Sequence, residues 1–318
     1  MNILILGGTG FVGRTICAML VAQGDTATVI TRRRVAGQAL ATLPGVTLDT
    51  TDPFDLDALS ARLAGHDAVI NLVGILHGDF ERSHVTLTER VVAACQRTGV
   101  RRYLHMSALG ADAAGPSEYQ RSKGRAEAVV RASAANGLDA TVFAPSVIFG
   151  RDDKFLNQFA GLLALLPPYM PMFLPGGYAH FQPVWVNDVA RAFVRALREP
   201  ASIGQRYELV GPERTTLREL VRYVVALSGT PHAVIGLPRA ATAVAGALLQ
   251  FAPGKPMTPD NVKSMSVDNV SDAPWPAFAG ERTALSAVVP GWLGRAAGGG
   301  RAERVLDSQG SRSLAACL

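Results

Sequence analysis

The 318-residue sequence has few of the residues that build metal sites and disulfide frameworks. Its three cysteines, Cys17, Cys95 and Cys317, lie far apart and form no C-x-x-C pair. This spacing argues against a zinc site or a disulfide framework and fits a reducing cytoplasm. The six histidines show no H-E-x-x-H spacing, so we expect His77 and His84 on the surface or in loops rather than as ligands. We therefore predict no metal site.

Lysine occurs only four times, so arginine supplies most of the net charge of +5 and of the pI near 9.4. Basic residues do not alternate with aromatic ones, which gives nucleic-acid binding little support. The apolar stretch 240–252 is too short to span a bilayer, and no charged segment typical of a signal peptide precedes the first apolar run. A hydrophobic content of 48% and a charged content of 18% predict a soluble globular protein with a sizeable core.

Glycine is concentrated at the amino end, between an apolar run and a helix-like pattern. Gly8, Gly10 and Gly13 satisfy G-x-G-x-x-G, and Gly7, Gly10 and Gly13 satisfy the variant G-x-x-G-x-x-G. Glycine is needed in such a turn because the turn is tight, the backbone approaches a pyrophosphate and the helix packs closely on the strand. A pyrophosphate can then bind the free N–H groups at the positive end of the helix. This context favours a dinucleotide site over a merely structural turn.

Strand and helix patterns alternate through the first half of the chain, which requires a parallel sheet with helices on both faces. We predict an α/β fold with a doubly wound parallel (Rossmann) sheet and a smaller C-terminal lobe. The predicted strands are residues 3–6, 26–31, 46–49, 68–73, 103–107, 140–144 and 206–210. The predicted helices are residues 14–23, 53–64, 81–98, 117–136, 188–198, 215–227, 238–251 and 259–265. The predicted units are a Rossmann domain of residues 1–150 plus about 181–211, a small lobe of residues 151–180 plus 212–294, and a disordered tail, 295–318.

The end of the second predicted strand indicates which nucleotide is preferred. An NAD site usually has an acidic residue there, which binds the ribose 2′-hydroxyl. This strand ends instead in Arg32 and Arg33, which suit a 2′-phosphate, so NADP(H) is favoured over NAD(H). The alternative is a solvated arginine run. Asp52, after the third strand, either meets the adenine amino group or caps the helix predicted to begin at Pro53.

A second constellation joins Ser107, Tyr119 and Lys123. Ser107 ends the fifth predicted strand, and Tyr119 and Lys123 lie one turn apart on the next helix. A cation one turn away is expected to lower the pKa of the tyrosine, which otherwise lies near 10, and to fit it for acid–base work. The Ser107 hydroxyl could hold a substrate carbonyl.

These motifs together resemble the short-chain dehydrogenase/reductase superfamily, in its extended or atypical branch. Two further stretches, PSVIFGRDDKFLN at 145–157 and FQPVWVNDVA at 181–190, resemble the nucleotide-binding accessory subunit of respiratory complex I and its bacterial relatives. The resemblance runs from residue 1 to about residue 269. It implies a nucleotide cofactor, a possible complex I or membrane-surface partner, and a cytoplasmic location, peripheral to the inner membrane if that partner exists.

The resemblance also implies which residues contact the cofactor. They are Gly7, Thr9, Gly10, Phe11, Val12, Gly13, Arg32, Arg33, Asp52, Val73, Lys123 and Pro145. One departure is Ala144, which stands where family members usually carry a basic residue before the proline. The complex I subunit has a similar Tyr-x-x-x-Lys motif, and the resemblance implies that such a protein holds its nucleotide without turning it over.

Residues 155–187 contain no Asp, Glu, Lys or Arg. This stretch is either a core helix with an ordered loop, or an apolar cleft or surface for a lipid-like substrate, a membrane or a protein partner. Two functions therefore stay open. The chain holds NADP(H) as a structural or sensing cofactor, or it is an active NADPH-dependent oxidoreductase or isomerase acting on an apolar, quinone- or isoprenoid-like carbonyl compound.

Overall fold

The computed structural model describes residues 1–229, 231–249 and 258–293. Its strands are β1 (Asn2–Leu6), β2 (Thr26–Ile30), β3 (Val46–Asp49), β4 (Ala68–Asn71), β5 (Arg102–Met106), β6 (Asp139–Pro145), β7 (Ile148–Phe149), β8 (Met172–Leu174), β9 (His180–Phe181), β10 (Val184–Trp185), β11 (Arg206–Leu209), β12 (Thr215–Thr216) and β13 (Val234–Gly236). Its α-helices are α1 (Phe11–Ala22), α2 (Gln38–Ala41), α3 (Leu56–Leu63), α4 (Leu87–Thr98), α5 (Glu118–Ala132), α6 (Leu156–Leu165), α7 (Val186–Ala196), α8 (Leu217–Ser228), α9 (Arg239–Leu249), α10 (Pro259–Ser264), α11 (Leu285–Val288) and α12 (Pro290–Leu293). A π-helix, Glu81–Thr86, precedes α4, and 3-10 helices occur at Arg34–Gly37, Ser133–Asn136, Pro200–Ser202 and Ala277–Ala279.

Seven parallel strands form the central sheet in the order β3-β2-β1-β4-β5-β6-β11. The chain builds outward from β1 to β3 and then returns to β4 on the other side of β1. The carboxyl ends of β1 and β4, where Leu6 pairs with Asn71, therefore flank the point at which the winding direction reverses. Doubly wound sheets bind their ligands in the crevice at this point. The predicted fold class is confirmed.

The first strand explains why the sheet is covered on both faces. Ile3 and Ile5 point into one hydrophobic cluster, which α1 and α7 complete, whereas Leu4 and Leu6 point into a second cluster with α3, α4 and α5. All four side chains are at most 1% exposed. A strand buried on both faces has an apolar run rather than an alternating pattern, so β1 must lie in the middle of the sheet.

A third hydrophobic cluster lies under the segments that follow β6. It contains buried residues of α6, β8, α8, α11 and α12. In the uncharged stretch 155–187, Leu163, Met172 and Leu174 are buried in this cluster, whereas Leu165 and Phe173 are exposed. The stretch therefore supplies core on one side and apolar surface on the other.

At their first residues, three predicted helices differ from the structure by three positions or in helix type. The helix predicted from residue 14 begins at Phe11, directly after its N-cap Gly10. The helix predicted from residue 53 begins at Leu56, because the carboxylate of Asp55 accepts hydrogen bonds from Asp57 N and Ala58 N. The helix predicted over 81–98 opens with the π-helix Glu81–Thr86 before regular α-helix starts at Leu87. Wider turns of this kind are rare, and they often occur at functional sites.

None of the helices in the described ranges has both the length and the apolar character needed to cross a membrane. The predicted tail, 295–318, lies outside the described residues, as do residues 250 and 251 of the helix predicted over 238–251.

Candidate nucleotide site and active site

The glycine turn lies at the carboxyl end of β1 and faces the loop after β4. Gly7 has a φ of +78°, and a Cβ atom there would lie 3.1 Å from the carbonyl carbon of Leu72 and 3.2 Å from Val73 N. A Cβ atom on Gly13 would lie 2.5 Å from both Cα and O of Gly8. Glycine is thus required at Gly7 for backbone conformation and at Gly13 for close packing of helix on turn.

The amino end of α1 follows the turn without a capping side chain. Its N-cap residue is Gly10, and its first turn contains no acidic residue. The first N–H groups of a helix have no partner within the helix, and the helix dipole makes this end positive. The backbone of Phe11 and Val12 is therefore placed to donate to an anionic group.

The side chains on this turn face the protein. The ring of Phe11 covers Gly150, since a Cβ atom there would lie 2.8 Å from Phe11 Cζ. Val12 packs against the cluster between α1 and the sheet, and Thr9 is half-buried. Phe11 and Val12 can thus serve a nucleotide through backbone groups, while their side chains hold the turn in place.

Arg32 and Arg33 lie on the segment after β2, beside the glycine turn. Both side chains are exposed. The buried Thr31 anchors the segment by donating a hydrogen bond from Oγ1 to Arg33 O at 3.0 Å. Downstream, Gly37 comes close to Thr9, whose Cγ2 lies 3.3 Å from the position of a Gly37 Cβ atom. The arginines are therefore held at the carboxyl edge of the sheet, on the same side as the glycine turn.

Asp52 is not brought into this group of residues by any contact described in the structure. It is exposed and follows β3, the edge strand, about 10 Å across the sheet from β1. Its carboxylate accepts a hydrogen bond from Phe54 N at 3.0 Å. The alternative role predicted for it, the N-cap of the next helix, is wrong because Asp55 caps α3.

Lys123 joins the carboxyl ends of β4 and β5. Its side chain is buried, and Nζ donates hydrogen bonds to Val73 O at 3.2 Å and to Met106 O at 3.1 Å. Burial lowers the pKa of Lys123 to about 8. The ammonium group is thus oriented by backbone carbonyls and loses its charge more readily than an exposed lysine.

Tyr119 is half-buried one turn before Lys123. Its ring makes edge contacts with His84, at a centroid distance of 5.7 Å, and with Phe80, at 6.2 Å. Burial raises the pKa of Tyr119 to about 12. The expected lowering of this pKa by Lys123 is therefore wrong for the chain alone, because desolvation by burial determines the shift.

Ser107 lies just beyond β5. Its backbone N–H donates to Phe143 O at 2.7 Å, while its buried Oγ has no hydrogen-bond partner within the ranges 1–229, 231–249 and 258–293. Pro145, at the end of β6, accepts a hydrogen bond from Leu109 N at 2.9 Å, so the loop after β5 is tied to the neighbouring strand. Buried hydroxyl groups are rarely left unpaired, so the Oγ of Ser107 is a candidate for a contact with a bound ligand.

Two residues at this site were not expected from the sequence. His84, predicted on the surface or in a loop, is 2% exposed and lies in the π-helix beside Tyr119. Asp260 of α10 accepts hydrogen bonds from Glu118 N at 2.7 Å and Tyr119 N at 3.2 Å, so it caps α5 from a distant part of the chain. The burial of His84 could have been predicted from its position on the apolar face of a helical pattern. No residue near Asp260 in the sequence indicates that Asp260 contacts the first turn of α5.

These features fit a nicotinamide dinucleotide. The turn leaves room for close backbone approach only because Gly7 and Gly10 lack Cβ atoms, and the nearest obstacle to a Cβ atom on Gly10 is Gly7 O at 3.2 Å. The unpaired Oγ of Ser107 lies on the same edge of the sheet as Lys123. This edge of the sheet thus offers close backbone approach at the glycine turn and a hydroxyl group and an ammonium group at Ser107 and Lys123.

Comparison with known proteins agrees with this description. A model of the NAD dependent epimerase/dehydratase family matches residues 3–210. The mouse protein NADH dehydrogenase (ubiquinone) 1 alpha subcomplex subunit 9, mitochondrial, is 30% identical over 283 residues, which are 86% of this chain and 74% of that protein. Sterol demethylase protein B of Methylococcus capsulatus is 26% identical over 264 residues, covering 75% of this chain and 78% of that protein.

Solved structures support the same fold. A dTDP-glucose 4,6-dehydratase from Streptomyces venezuelae, with NAD bound, superposes with a TM-score of 0.65 at 22% identity and covers 75% of this chain and 85% of that one. At this identity the likeness concerns the fold alone. The family match, the relatives and the sheet topology lead to one conclusion: this chain belongs to the NAD dependent epimerase/dehydratase family, within the extended short-chain dehydrogenase/reductase superfamily.

Proposed function

We propose that this protein holds NADP(H) at the carboxyl edge of its sheet as a structural or sensing cofactor, in the manner of the atypical short-chain dehydrogenases. One observation carries the proposal: the glycine turn is followed, at the end of β2, by two exposed arginines in place of an acidic residue. Arginine recognises phosphate through charge-assisted and bidentate hydrogen bonds. The 2′-phosphate is the group that distinguishes NADP(H) from NAD(H).

The other proposed contacts can be assigned to successive groups along the dinucleotide. The backbone of the glycine turn and the first turn of α1 receive the pyrophosphate, Val73 lines the channel, and Lys123 binds the ribose beside the nicotinamide. Asp52 is assigned to the adenine amino group. For this contact its side chain must extend from the edge strand β3 towards the centre of the sheet. Pro145 borders the nicotinamide end, where Ser107 also lies.

Preference for NADP(H) is tested by calorimetric titration with NADPH and NADH. We expect at least tenfold tighter binding of NADPH, which corresponds to about 1.4 kcal/mol and is within reach of one charge-assisted contact. In Arg32→Ala/Arg33→Ala the NADPH affinity should fall to that of NADH, whereas Arg90→Ala, an exposed change on α4, should have no effect. Equal affinities for both nucleotides in the parent would refute the preference.

An apolar surface supports the proposal of a membrane or complex I-like partner, and with it a location at the inner membrane. Leu165, Tyr169, Met170 and Phe173 are all exposed, and Ile235 pairs with Phe173 across β8 and β13 and is exposed too. Tyr169, 79% exposed, has a φ of +68°, a strained backbone conformation for a tyrosine. Several exposed apolar side chains on one segment often mark an interaction site.

The partner surface is tested by placing a charge on it. Leu165→Glu should abolish sedimentation of the protein with vesicles that contain anionic phospholipid, if the surface meets lipid. Ile203→Glu, also at an exposed apolar position, is the control. A Leu165→Glu protein that stays folded and still sediments like the parent would eliminate this surface.

The second candidate function is an NADPH-dependent oxidoreductase or isomerase for an apolar, quinone- or isoprenoid-like carbonyl compound. The observation that favours it is the buried, unpaired hydroxyl of Ser107 on the same edge as Tyr119 and Lys123. When bound, the nicotinamide supplies or accepts a hydride. Ser107 would hold the carbonyl oxygen, and Tyr119, whose raised pKa keeps its proton at neutral pH, would donate that proton as a general acid.

Turnover separates the two functions. NADPH oxidation is measured against a panel of quinones and apolar ketones, together with melting curves with and without NADPH. A structural cofactor predicts a higher melting temperature with NADPH, no oxidation, and a silent Tyr119→Phe change. An enzyme predicts turnover that Tyr119→Phe lowers by about 10²–10⁴ while nucleotide binding survives.

A further inference from the structure

We propose that His84 is a positioning residue that fastens the loop after β4, one wall of the nucleotide channel, to the helix that carries Tyr119 and Lys123. The inference rests on the proposed nucleotide site, and it assigns to that site a residue that acts through the loop and the helix that it joins. Its evidence is a chain of hydrogen bonds and ring contacts centred on one buried imidazole.

The hydrogen bonds define a single tautomer. Ile75 N donates to His84 Nε2 at 3.1 Å, so Nε2 carries no proton. Nδ1 must then carry the proton, and it donates to Ser122 Oγ at 2.9 Å, while Ser122 Oγ donates to Tyr119 O at 3.0 Å. Burial, with a further effect of the Lys123 charge, lowers the pKa of His84 to about 3. The imidazole therefore stays neutral and keeps this pattern across the physiological range.

The loop after β4 is held from α5 at two points. Lys123 Nζ donates to Val73 O, and Ile75 N is bound to His84, which is bound in turn to Ser122 of α5. Between these points lies Gly74, where a Cβ atom would stand 3.3 Å from Lys123 Nζ. Without the His84 bond, the loop keeps its contact with α5 through Lys123 Nζ, so the lysine must hold the wall as well as the ribose.

The ring of His84 has a separate task. It lies edge-on to the ring of Tyr119, with an interplanar angle of 81°, and Phe80 contacts both rings. The nitrogens thus position the loop, and the ring positions the tyrosine. The two tasks can be separated, because glutamine keeps an acceptor in place of Nε2 but no ring, while phenylalanine keeps the ring but no acceptor.

Affinity for NADPH and hydrogen exchange at the Ile75 amide test the loop contact. In His84→Phe we expect NADPH to bind at least fivefold more weakly and the Ile75 amide to exchange at least tenfold faster. In His84→Gln both values should stay within twofold of the parent. His66→Phe is the matched control, since His66 is also buried, with hydrogen bonds to Leu63 O and Thr28 Oγ1, but it lies away from the site.

The ring contact is read from ¹³C-labelled Tyr119 by NMR. Its signal should shift in His84→Gln and stay near the parent position in His84→Phe. If His84→Phe does not fold, His84→Asn replaces it, because asparagine keeps a donor toward Ser122 and loses the acceptor for Ile75. Unchanged exchange at Ile75 in a folded variant without the acceptor would overturn the proposal. The exchange measurement tests the loop contact even if the parent protein does not bind NADPH. In that case the proposed function is wrong, and the exchange rate of the Ile75 amide alone decides whether His84 holds the loop.

Discussion

The charge of Lys123 should make nucleotide affinity depend on pH in the range just above neutrality. The lysine is buried, is bound to Val73 O and Met106 O, and has a pKa lowered to about 8. A polyanionic nucleotide favours the ammonium form, so affinity is full below this pKa and is lost as the pH rises through it. The nucleotide phosphates do not change charge in this range, since a phosphate monoester has its second pKa near 6.

The size of the effect follows from the titration. Between pH 7 and pH 9 the charged fraction of a group with a pKa of about 8 falls from roughly 0.9 to roughly 0.1, so the dissociation constant for NADPH should rise about tenfold. Fluorescence titration with NADPH at both pH values measures it. The Lys123→Met variant should bind NADPH weakly at both pH values, with no pH dependence. The control variant Lys154→Met changes an exposed lysine and should bind NADPH as the parent does at both pH values.

The stability of the fold should respond in the opposite sense. The unfolded chain holds the Lys123 proton up to a pKa of about 10.5 and the folded chain only to about 8, so this residue favours unfolding most at neutral pH and less as the pH rises between these values. The cost at pH 7 is about 3 kcal/mol. A parent that binds NADPH equally at pH 7 and pH 9, or a Lys123→Met variant that keeps the parent's pH dependence, would refute this reasoning.

Gly13→Ala should destabilise the fold by several kcal/mol and abolish nucleotide binding, because its Cβ atom would meet backbone rather than a movable side chain. Gly161→Ala, in α6, should instead stabilise the protein by about 0.5–1 kcal/mol, because, its own stretch of helix aside, no atom of the described part of the chain lies within 4 Å of its Cβ position. Denaturant unfolding measures both. Asp260→Ala should lower the free energy of unfolding by about 1 kcal/mol, because the N–H groups of Glu118 and Tyr119 lose their acceptor while the N-cap Ser117 remains. Asp268→Ala, which removes an exposed pair with His180, should cost less than half as much.

The sequence by itself determined the elements whose signals are local. The apolar run of β1 and the glycines that follow it predict a strand, a turn and a helix within a few residues of one another, because steric limits and periodicity act over short distances. Repetition of this unit predicts the parallel sheet. The two arginines follow β2 directly in the sequence, so they must lie at the carboxyl edge of that sheet, where the nucleotide is proposed to bind. The fold and the nucleotide edge follow from such evidence.

Only the tertiary structure decided the environment of each side chain at the site. Tyr119 and Lys123 were recognised from their spacing, but the raised pKa of the tyrosine and the lowered pKa of the lysine depend on desolvation by elements far along the chain. His84 and Asp260 joined the site through contacts with Ser122 and Glu118, which are 38 and 142 positions away. Spacing in sequence carries no information about such pairs, because packing of the helices on the sheet determines which distant groups meet and how much water reaches them.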